Sequence, residues 1–372
     1  MKPDVYAARL ERARAAMGPL GVDGLLLSLG ADLPWVCGYT AMPLERLTML
    51  VVPGGAAPAV LVVPELEAPR VAPMPEVFSL RPWAETEDPV AIVADLVGAA
   101  LGPHPNLAVS DRAWATFVLR LQRELPGAHW RVASEVTAPL RAVKDDAELD
   151  ALAQASAAAD RVAGALLGGE IELAGRTERQ VSAEISRRLL AEGNERVNFA
   201  IVASGPHSAS PHHEATDRVI GAGEPVVCDF GGTLDGYCSD ITRTVFTGQP
   251  EPELAHIYEI VAEAQSEGVK AAQIGASCHE VDDAARAVIS KAGYGDYFIH
   301  RTGHGIGLEE HEDPYMVAGN GAPLVAGNVF SVEPGIYIAG KFGVRIEDIV
   351  AATSNGPRPL NVAGHALTVL AA

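Results

Sequence analysis

The chain contains little cysteine and comparatively little positive charge, and both shortages limit the classes of protein it can represent. Its 372 residues include four cysteines, Cys37, Cys228, Cys238 and Cys278, without a CxxC pair. A small disulfide scaffold and a cysteine-ligated zinc site are therefore excluded, and we expect free thiols packed in the core. Lysine and arginine number 28 against 48 acidic residues, a formal net charge of −20. Because such a surface repels phosphate groups, neither nucleic acid nor a membrane surface is expected as a partner.

Long apolar runs are also missing. No window holds the roughly 18 uninterrupted apolar residues that a membrane-spanning helix requires. Asp4 and Glu11 interrupt the N-terminal stretch where a secretory signal would be apolar, so a cytoplasmic protein is expected. Apolar residues nevertheless make up 48% of the chain, which provides for packed cores and excludes a disordered protein. The length suits two domains of about 150 residues each.

The N-terminal part predicts an α/β domain. Helical periodicity covers residues 3–17. Short apolar segments bounded by glycine and proline predict strands with buried faces at Leu25–Leu29, Leu47–Val52 and Ala59–Val63. We place the boundary at Pro139, so that the predicted domains are residues 1–138 and 139–372.

The C-terminal part predicts an α+β domain built on an antiparallel sheet. A long helix rich in alanine, leucine and glutamate ends near Leu167, and another covers Pro252–Gln273. Capping boxes that begin at Thr177 and Ser277 open two further helices. The predicted strands are Phe199–Ser204, Pro225–Gly231, Tyr237–Phe246, Asn328–Ile338 and Gly343–Ala352.

A tight turn brings two aspartates of this domain to one face of a hairpin. Asp235-Gly236 is a preferred pair for a two-residue loop. Such a loop sets Asp229 opposite Thr242 and places Asp240 diagonal to Asp229. Two buried like charges are unfavourable unless a cation lies between them. The hairpin therefore predicts a cation site.

Two glutamates repeat this arrangement. A loop centred on Gly340 places Glu333 opposite Glu347 on adjacent strands. With the two aspartates they carry four negative charges, which two divalent cations would balance. Glycines on both sides of His304 let its backbone approach such a site, so His304 is the fifth candidate ligand. The remaining loop histidines, His207 and His213, are expected to be ordinary polar loop residues.

The candidate ligands lie in or near the segments SDITRT, TGHGIG, VEPG and RIED, within residues 144–349. In their order and spacing, these segments resemble the pita-bread family of metal-dependent aminopeptidases. The branch that matches is that of the Xaa-Pro peptidases, prolidase and aminopeptidase P. The resemblance implies an α+β protein with a creatinase-like N-terminal α/β domain followed by a pita-bread catalytic domain. It also implies a homodimer that pairs through the N-terminal domain.

The resemblance gives each candidate ligand a role. Asp229 resembles the bidentate ligand of one metal, and Asp240 and Glu347 resemble the carboxylates that bridge both metals. His304 and Glu333 resemble the ligands that complete the second metal. Because the ligand set is rich in oxygen, two Mn²⁺ ions are favoured, with Co²⁺ or Zn²⁺ as alternatives.

Residues around the ligands match the family as well. Three histidines match those near the scissile carbonyl, the proline ring and the transition state: His212, His300 and His311. Arg345 and Thr242 match residues that orient the carboxylates by hydrogen bonds. Phe199 is expected to line an apolar pocket for the proline ring.

The reaction expected from this resemblance is hydrolysis of the Xaa-Pro imide bond by a hydroxide that bridges two metals, with Glu333 as the proton shuttle. A dipeptide ends in a carboxylate just beyond proline, and Arg46 is the candidate cation for it. Pairing of Arg46 with Glu45 or another surface acid is the alternative explanation. We expect a prolidase that cleaves Xaa-Pro dipeptides, with an aminopeptidase P that acts on longer Xaa-Pro-Yaa peptides as the alternative.

Three other relatives fit less well. The complete ligand set argues against a metal-free creatinase and against a non-catalytic peptide-binding scaffold. The N-terminal domain argues against a methionine aminopeptidase.

Overall fold

The computed structural model describes residues 3–371. The chain forms two compact units, Met1–Arg141 and Ala142–Ala372. The division follows Arg141 rather than residue 138, because the helix Ser134–Arg141 is continuous through Pro139.

The first unit contains a mixed six-stranded sheet. Its strands are β1 Gly24–Leu27, β2 Met49–Pro53, β3 Val60–Pro64, β4 Ser79–Trp83, β5 Asn106–Val109 and β6 His129–Val132. Across the sheet they lie in the order β4-β3-β2-β1-β5-β6. Its helices are α1 Pro3–Leu20, α2 Asp32–Cys37, α3 Pro89–Leu101, α4 Ala115–Glu124 and α5 Ser134–Arg141.

The three strands predicted for this unit are confirmed as β1, β2 and β3, with ends shifted by a few residues. β1 is buried at all four residues, as expected for a central strand with both faces covered. It pairs in parallel with β5 and antiparallel with β2. The predicted α/β domain is thus confirmed.

The second unit contains four α-helices and three sheets among its described residues. The helices are α6 Asp146–Leu167, α7 Glu178–Ala191, α8 Pro252–Ala271 and α9 Cys278–Lys291. The strands are β7 Arg196–Ser204, β8 Pro225–Leu234, β9 Tyr237–Cys238, β10 Ile241–Thr247, β11 Gly303–Gly305, β12 Glu312–Met316, β13 Val329–Val332, β14 Gly335–Ile338, β15 Phe342–Arg345, β16 Asp348–Thr353, β17 Gly356–Pro359 and β18 Thr368–Leu370. Both predicted capping boxes, at Thr177 and Ser277, are formed.

The register of the β8–β10 hairpin is the predicted one. Asp235 and Gly236 have φ angles of 49° and 80°, the left-handed conformations that this turn requires. Asp229 pairs with Thr242. The strand predicted at Tyr237–Phe246 is interrupted at Ser239-Asp240. The chain there runs so close to β8 that a Cβ on Gly231 would lie 2.0 Å from the Ser239 carbonyl oxygen.

The glutamates face each other in a gap between two short ladders. Val332 pairs with Asp348 on one side of the gap and Gly335 pairs with Arg345 on the other, so the predicted Glu333–Glu347 register is maintained. The strands predicted as continuous are broken here, because Pro334 has no N–H for the ladder. Glu347 instead forms an isolated bridge with Thr242, which joins the glutamate pair to the aspartate hairpin.

Two other expectations concern the chain as a whole. All four cysteines are free and buried, as expected. Across residues 3–371 no helix combines the length and the apolar character needed to cross a bilayer.

Candidate metal centre

Three predicted ligands lie together in the interior of the second unit. Ligand atoms of Asp240, His304 and Glu347 are within 4.8 Å of one another, and all three residues are buried. Glu333 adjoins them, with its Oε1 3.4 Å from His304 Nε2. Asp240 Oδ2 lies 3.7 Å from the same nitrogen. One imidazole nitrogen thus faces two carboxylates.

The backbone around His304 determines which nitrogen faces the carboxylates. His304 Nδ1 lies 3.1 Å from the Gly305 carbonyl oxygen, which can only accept, so Nδ1 holds the proton and Nε2 presents its lone pair. A Cβ on Gly303 would lie 1.8 Å from the Ser331 carbonyl oxygen, and one on Gly305 2.3 Å from the Asp313 carbonyl oxygen. The flanking glycines are therefore required for close backbone approach, as the sequence predicts.

Asp229 joins the cluster through Arg345. Arg345 Nη2 donates to Asp229 Oδ2 at 2.6 Å, and Arg345 Nε donates to Thr242 Oγ1 at 3.1 Å. Thr242 Oγ1 in turn donates to Glu347 Oε2 at 2.6 Å. One buried guanidinium therefore orients a carboxylate from each hairpin, one directly and one through a hydroxyl group.

The carboxylates of Asp229, Asp240, Glu333 and Glu347, here called the carboxylate cluster, include three oxygens that have no hydrogen-bond partner in the described part of the chain. Within residues 3–371, Asp229 Oδ1, Asp240 Oδ1 and Glu347 Oε1 are buried without a hydrogen bond. Burial, then the charge of Glu347, raises the pKa of Asp240 well above its usual range. Burial, then Glu333, does the same to the pKa of Glu347. Unsatisfied buried oxygens with one imidazole fit hard divalent cations, so these residues suit a metal site.

The metal-free chain should become more stable on acidification from about pH 8.5 to about pH 6.5. Burial raises the pKa of Glu333 to about 7, and Arg345 opposes the shift only in part. Near pH 7 the folded chain therefore holds a proton that the unfolded chain releases, so stability rises as pH falls. Histidines oppose this effect only below about pH 6.5. Urea unfolding of chelator-treated protein measures the change.

The matched variant for this measurement is Glu333→Gln, which has no carboxyl group to titrate at that position. Its stability should change less over the same range of pH. A slope equal to that of the wild-type chain would contradict the assignment. Metal affinity should fall as the pH falls, because protons must leave the carboxylate cluster before a cation binds.

His300 is half-buried and both of its ring nitrogens are engaged. Nδ1 donates to the Arg301 carbonyl oxygen at 2.7 Å, and Nε2 accepts from the Tyr337 hydroxyl at 2.9 Å. The hydroxyl accepts in turn from Arg345 Nη1 at 2.8 Å. Burial, then the charge of Arg345, lowers the pKa of His300 to about 4, which agrees with the neutral imidazole that these bonds require. His300 thus belongs to a hydrogen-bonded chain that ends at Asp229.

The other predicted residues of the second unit lie around the carboxylate cluster. His311 is exposed, with its ring centroid 4.0 Å from that of His304. His212 is exposed and follows Pro211, whose carbonyl oxygen lies 3.4 Å from Arg345 Nη1. Phe199 pairs with Gly231 and therefore lies on the sheet face from which Asp229 projects.

Arg46 belongs to the first unit. Its Nη1 lies 2.8 Å from Glu45 Oε1, and its Nε lies 2.8 Å from Glu85 Oε1. The alternative explanation from the sequence, a pair with Glu45 or a surface acid, is therefore present in the structure. Binding of a substrate carboxylate by Arg46 stays a prediction.

Two residues that hold the predicted site residues in place were not predicted from the sequence. Tyr337 connects His300 to Arg345, and Ser331 Oγ accepts from the His304 N–H at 3.0 Å while donating to Glu333 Oε1 at 3.1 Å. Both occur in apolar strands, where a tyrosine or a serine gives no signal apart from its hydroxyl group.

Models of known protein families match both units of the chain. The model for metallopeptidase family M24 matches residues 150–354, and the creatinase/prolidase N-terminal domain matches residues 9–143. A protein of Mycobacterium tuberculosis described as "Probable dipeptidase PepE" is 43% identical over 370 residues, which cover 99% of this chain and 97% of that protein.

Solved structures show the same similarity. The dipeptidase PepE of Mycobacterium ulcerans has a TM-score of 0.93 and 44% identity, with 100% of both chains covered. A prolidase of Thermococcus sibiricus has a TM-score of 0.93 and 36% identity, again with 100% of both chains covered. The similarity therefore extends over both units.

Proposed function

This chain belongs to metallopeptidase family M24, with a creatinase-like N-terminal domain followed by a pita-bread domain, and from that premise we propose that it is an Xaa-Pro dipeptidase. The observation that carries the proposal is the carboxylate cluster, which has three unsatisfied buried oxygens and in which Asp240 and Glu333 face His304 Nε2. Similarity to a prolidase and to two dipeptidases supports the dipeptide substrate.

We propose that two divalent ions, Mn²⁺ in the cell, bind this centre. Asp229, Asp240, Glu333 and Glu347 would supply carboxylate oxygens to them, and His304 would supply an imidazole nitrogen. When bound, such ions supply Lewis acidity that lowers the pKa of water and stabilises negative charge on a peptide carbonyl oxygen. Arg345 and Thr242 hold Asp229 and Glu347 in the orientation that binding requires.

Side chains of the protein transfer the proton from the attacking water to the leaving group. Glu333 accepts the proton lost by the attacking water and delivers it to the proline nitrogen as the C–N bond breaks. Ser331, which donates to Glu333 Oε1, holds that carboxylate toward the reacting atoms. His311 and His212, both exposed, are the groups available to donate to the developing oxyanion. His300, with both nitrogens engaged, acts by holding Tyr337 and Arg345.

Three peptides distinguish the possible substrates. Manganese-loaded protein should hydrolyse Met-Pro faster than Met-Pro-Gly and faster than Met-Ala, because the site selects both the ring and a carboxylate directly after it. Faster cleavage of Met-Pro-Gly would identify an aminopeptidase P, and faster cleavage of Met-Ala a dipeptidase without proline preference. A chelator should abolish hydrolysis of every peptide. Hydrolysis that continues unchanged with chelator would contradict a metal-dependent reaction.

Arg46→Ala should reduce kcat/KM for Met-Pro by roughly ten- to a hundredfold and leave Met-Pro-Gly less affected, because a charge-assisted hydrogen bond to the terminal carboxylate is lost. Arg81→Ala is the matched control, since Arg81 is an exposed arginine of the same unit that pairs with Glu87. Steady-state kinetics on both peptides measure the difference. Equal losses on both would remove Arg46 from substrate binding.

We further propose that the protein is a cytoplasmic homodimer that pairs through its first unit. Light scattering of the purified chain tests the assembly. A monomer at micromolar concentration would contradict it.

A further inference from the structure

Outside the metal centre, a fully buried carboxylate collects hydrogen bonds from one loop. Glu178 is the first residue of α7, and its side chain has 0% exposure. Oε1 accepts from the Ser204 N–H at 2.9 Å and the Ser204 hydroxyl at 2.8 Å. Oε2 accepts from the Thr216 N–H at 3.1 Å and the Thr216 hydroxyl at 2.7 Å. Glu178 therefore fastens both ends of residues 204–216, here called the His212 loop.

The middle of the His212 loop reaches the same carboxylate. His207 Nδ1 lies 3.0 Å from Glu178 Oε1, and His213 Nε2 lies 2.9 Å from Oε2. The two rings are 4.4 Å apart between centroids. These histidines, which the sequence predicts to be ordinary loop residues, are thus fixed on one buried anion, and His213 is the immediate neighbour of His212.

Two imidazoles and a carboxylate are also a donor set for zinc, but the hydrogen bonds favour another explanation. A carboxylate offers about four lone-pair positions. Ser204 and Thr216 supply four donors. The two histidines add contacts to the same two oxygens, so a cation could bind only by displacing existing bonds. Burial would raise the pKa of Glu178, yet the hydrogen bonds from His213, Ser204 and Thr216 outweigh it and lower that pKa to about 2. Glu178 is therefore an ionised anchor.

The opposite side of the His212 loop faces the metal centre. The Pro211 carbonyl oxygen lies 3.4 Å from Arg345 Nη1, and Arg345 holds Asp229. Ser208 Oγ accepts from the Gly343 N–H at 2.8 Å, on the strand that leads to Arg345. His212 thus lies in a loop held by Glu178 on one side and by β15 on the other.

We propose that Glu178 is a positioning residue for His212. Through its bonds to Ser204, His207, His213 and Thr216, it fixes the His212 loop so that the His212 imidazole meets the substrate carbonyl. The inference rests on the proposed peptidase function, because His212 has a role only if a peptide binds beside it. Glu178 itself is fully buried, so it acts through the loop and not on the substrate.

The test is a double-mutant cycle between Glu178→Gln and His212→Ala, measured with whichever of Met-Pro, Met-Pro-Gly and Met-Ala the wild-type chain cleaves fastest. Glutamine keeps the size of the side chain but removes the charge and one acceptor oxygen. Glu178→Gln alone should lower kcat/KM on the order of ten- to a hundredfold, since displaced catalytic groups cost about that much. In the His212→Ala background it should cause little further loss, and manganese content should stay unchanged.

Two controls separate positioning from general damage. Glu184→Gln changes a partly exposed glutamate of the same helix that pairs with Arg188, and it should leave kcat/KM unchanged. Thr216→Val removes one hydroxyl donor and leaves the charge, so it should cause a smaller loss that again disappears in the His212→Ala background. A full additional loss in that background, or a fall in manganese content, would overturn the proposal.

A further measurement does not depend on the substrate. Amide hydrogen exchange of residues 205–216 should accelerate in Glu178→Gln, with the strands of the metal centre unchanged. Unchanged exchange in the His212 loop would overturn the proposal even if Met-Pro is cleaved. If exchange accelerates in Glu178→Gln but the wild-type chain cleaves none of the peptides, the peptidase function is rejected while the anchoring of the loop by Glu178 stands. Stoichiometric zinc uptake that is lost in His207→Asn would instead identify a second metal site and overturn the assignment of Glu178 as the anchor of the His212 loop.

Discussion

Asp240→Asn is expected to lower kcat/KM by about a thousandfold or more and to remove stoichiometric metal binding. Asp240 is buried, and its Oδ1 has no hydrogen-bond partner among residues 3–371. Asparagine fills the same space but supplies neither the charge nor a second oxygen ligand. Elemental analysis after manganese loading measures binding, and the Met-Pro assay measures activity.

The same substitution should change stability in opposite directions with and without metal. Without metal, burial and then the charges of Glu347 and Asp229 disfavour an ionised Asp240, so a neutral asparagine there should leave the melting temperature equal or higher. With metal at a hundredfold excess over its dissociation constant, the wild-type chain gains about 2.7 kcal/mol that the variant lacks. Thermal unfolding with manganese and with chelator shows both effects.

Asp235→Asn is the matched control, because it makes the same chemical change in the exposed turn of the same hairpin. Asparagine also tolerates the positive φ of that position. This variant should bind metal and hydrolyse peptide as the wild-type chain does. An active, metal-replete Asp240→Asn protein would contradict the assignment of the centre.

Arg243→Met is expected to lower the free energy of unfolding by about 3–5 kcal/mol, the usual effect of removing one partner from a buried ion pair. Arg243 is fully buried and lies 2.7 Å from Asp348 Oδ1. It also donates to the carbonyl oxygens of Thr242, Glu347 and Ala363, at 2.9, 2.6 and 2.7 Å. Methionine fills much of the volume but satisfies none of these oxygens. Urea unfolding of the chelator-treated chain measures the loss.

Arg358→Met, at an exposed arginine of β17, is the control and should change stability by less than about 0.5 kcal/mol. Arg243→Met should also weaken metal binding, because the Glu347 backbone loses its guanidinium donor. A stability loss below about 1 kcal/mol would show that the oxygens find other donors.

Local chemistry made much of the candidate site predictable. The turn at Asp235-Gly236 sets the register of its hairpin, and that register alone places Asp229 opposite Thr242. The capping boxes fix where α7 and α9 begin, because the bonding groups are only three residues apart. Where local chemistry conflicted with a continuous strand, as at Pro334, the predicted strand was broken.

Contacts between segments that are distant in the sequence could not be predicted in this way. The Thr242–Glu347 hydrogen bond joins residues 105 apart, and the Glu178–Thr216 bonds join residues 38 apart. Whether Tyr337 is only a core residue or also supports the site depends on the hydrogen bonds of its hydroxyl group. That group bonds to His300 on one side and to Arg345 on the other.

By itself, the sequence determined that an α/β domain precedes an α+β domain. It also determined the registers that pair the acidic residues, and the five candidate ligands. Turn geometry and strand alternation act over a few residues, so they can be followed along the chain. Only the tertiary structure decided that the two hairpins meet at Thr242, that Arg345 holds them together, and that Glu178 anchors the His212 loop. Those contacts depend on how the sheets pack, and packing is set by the whole core rather than by neighbours in sequence.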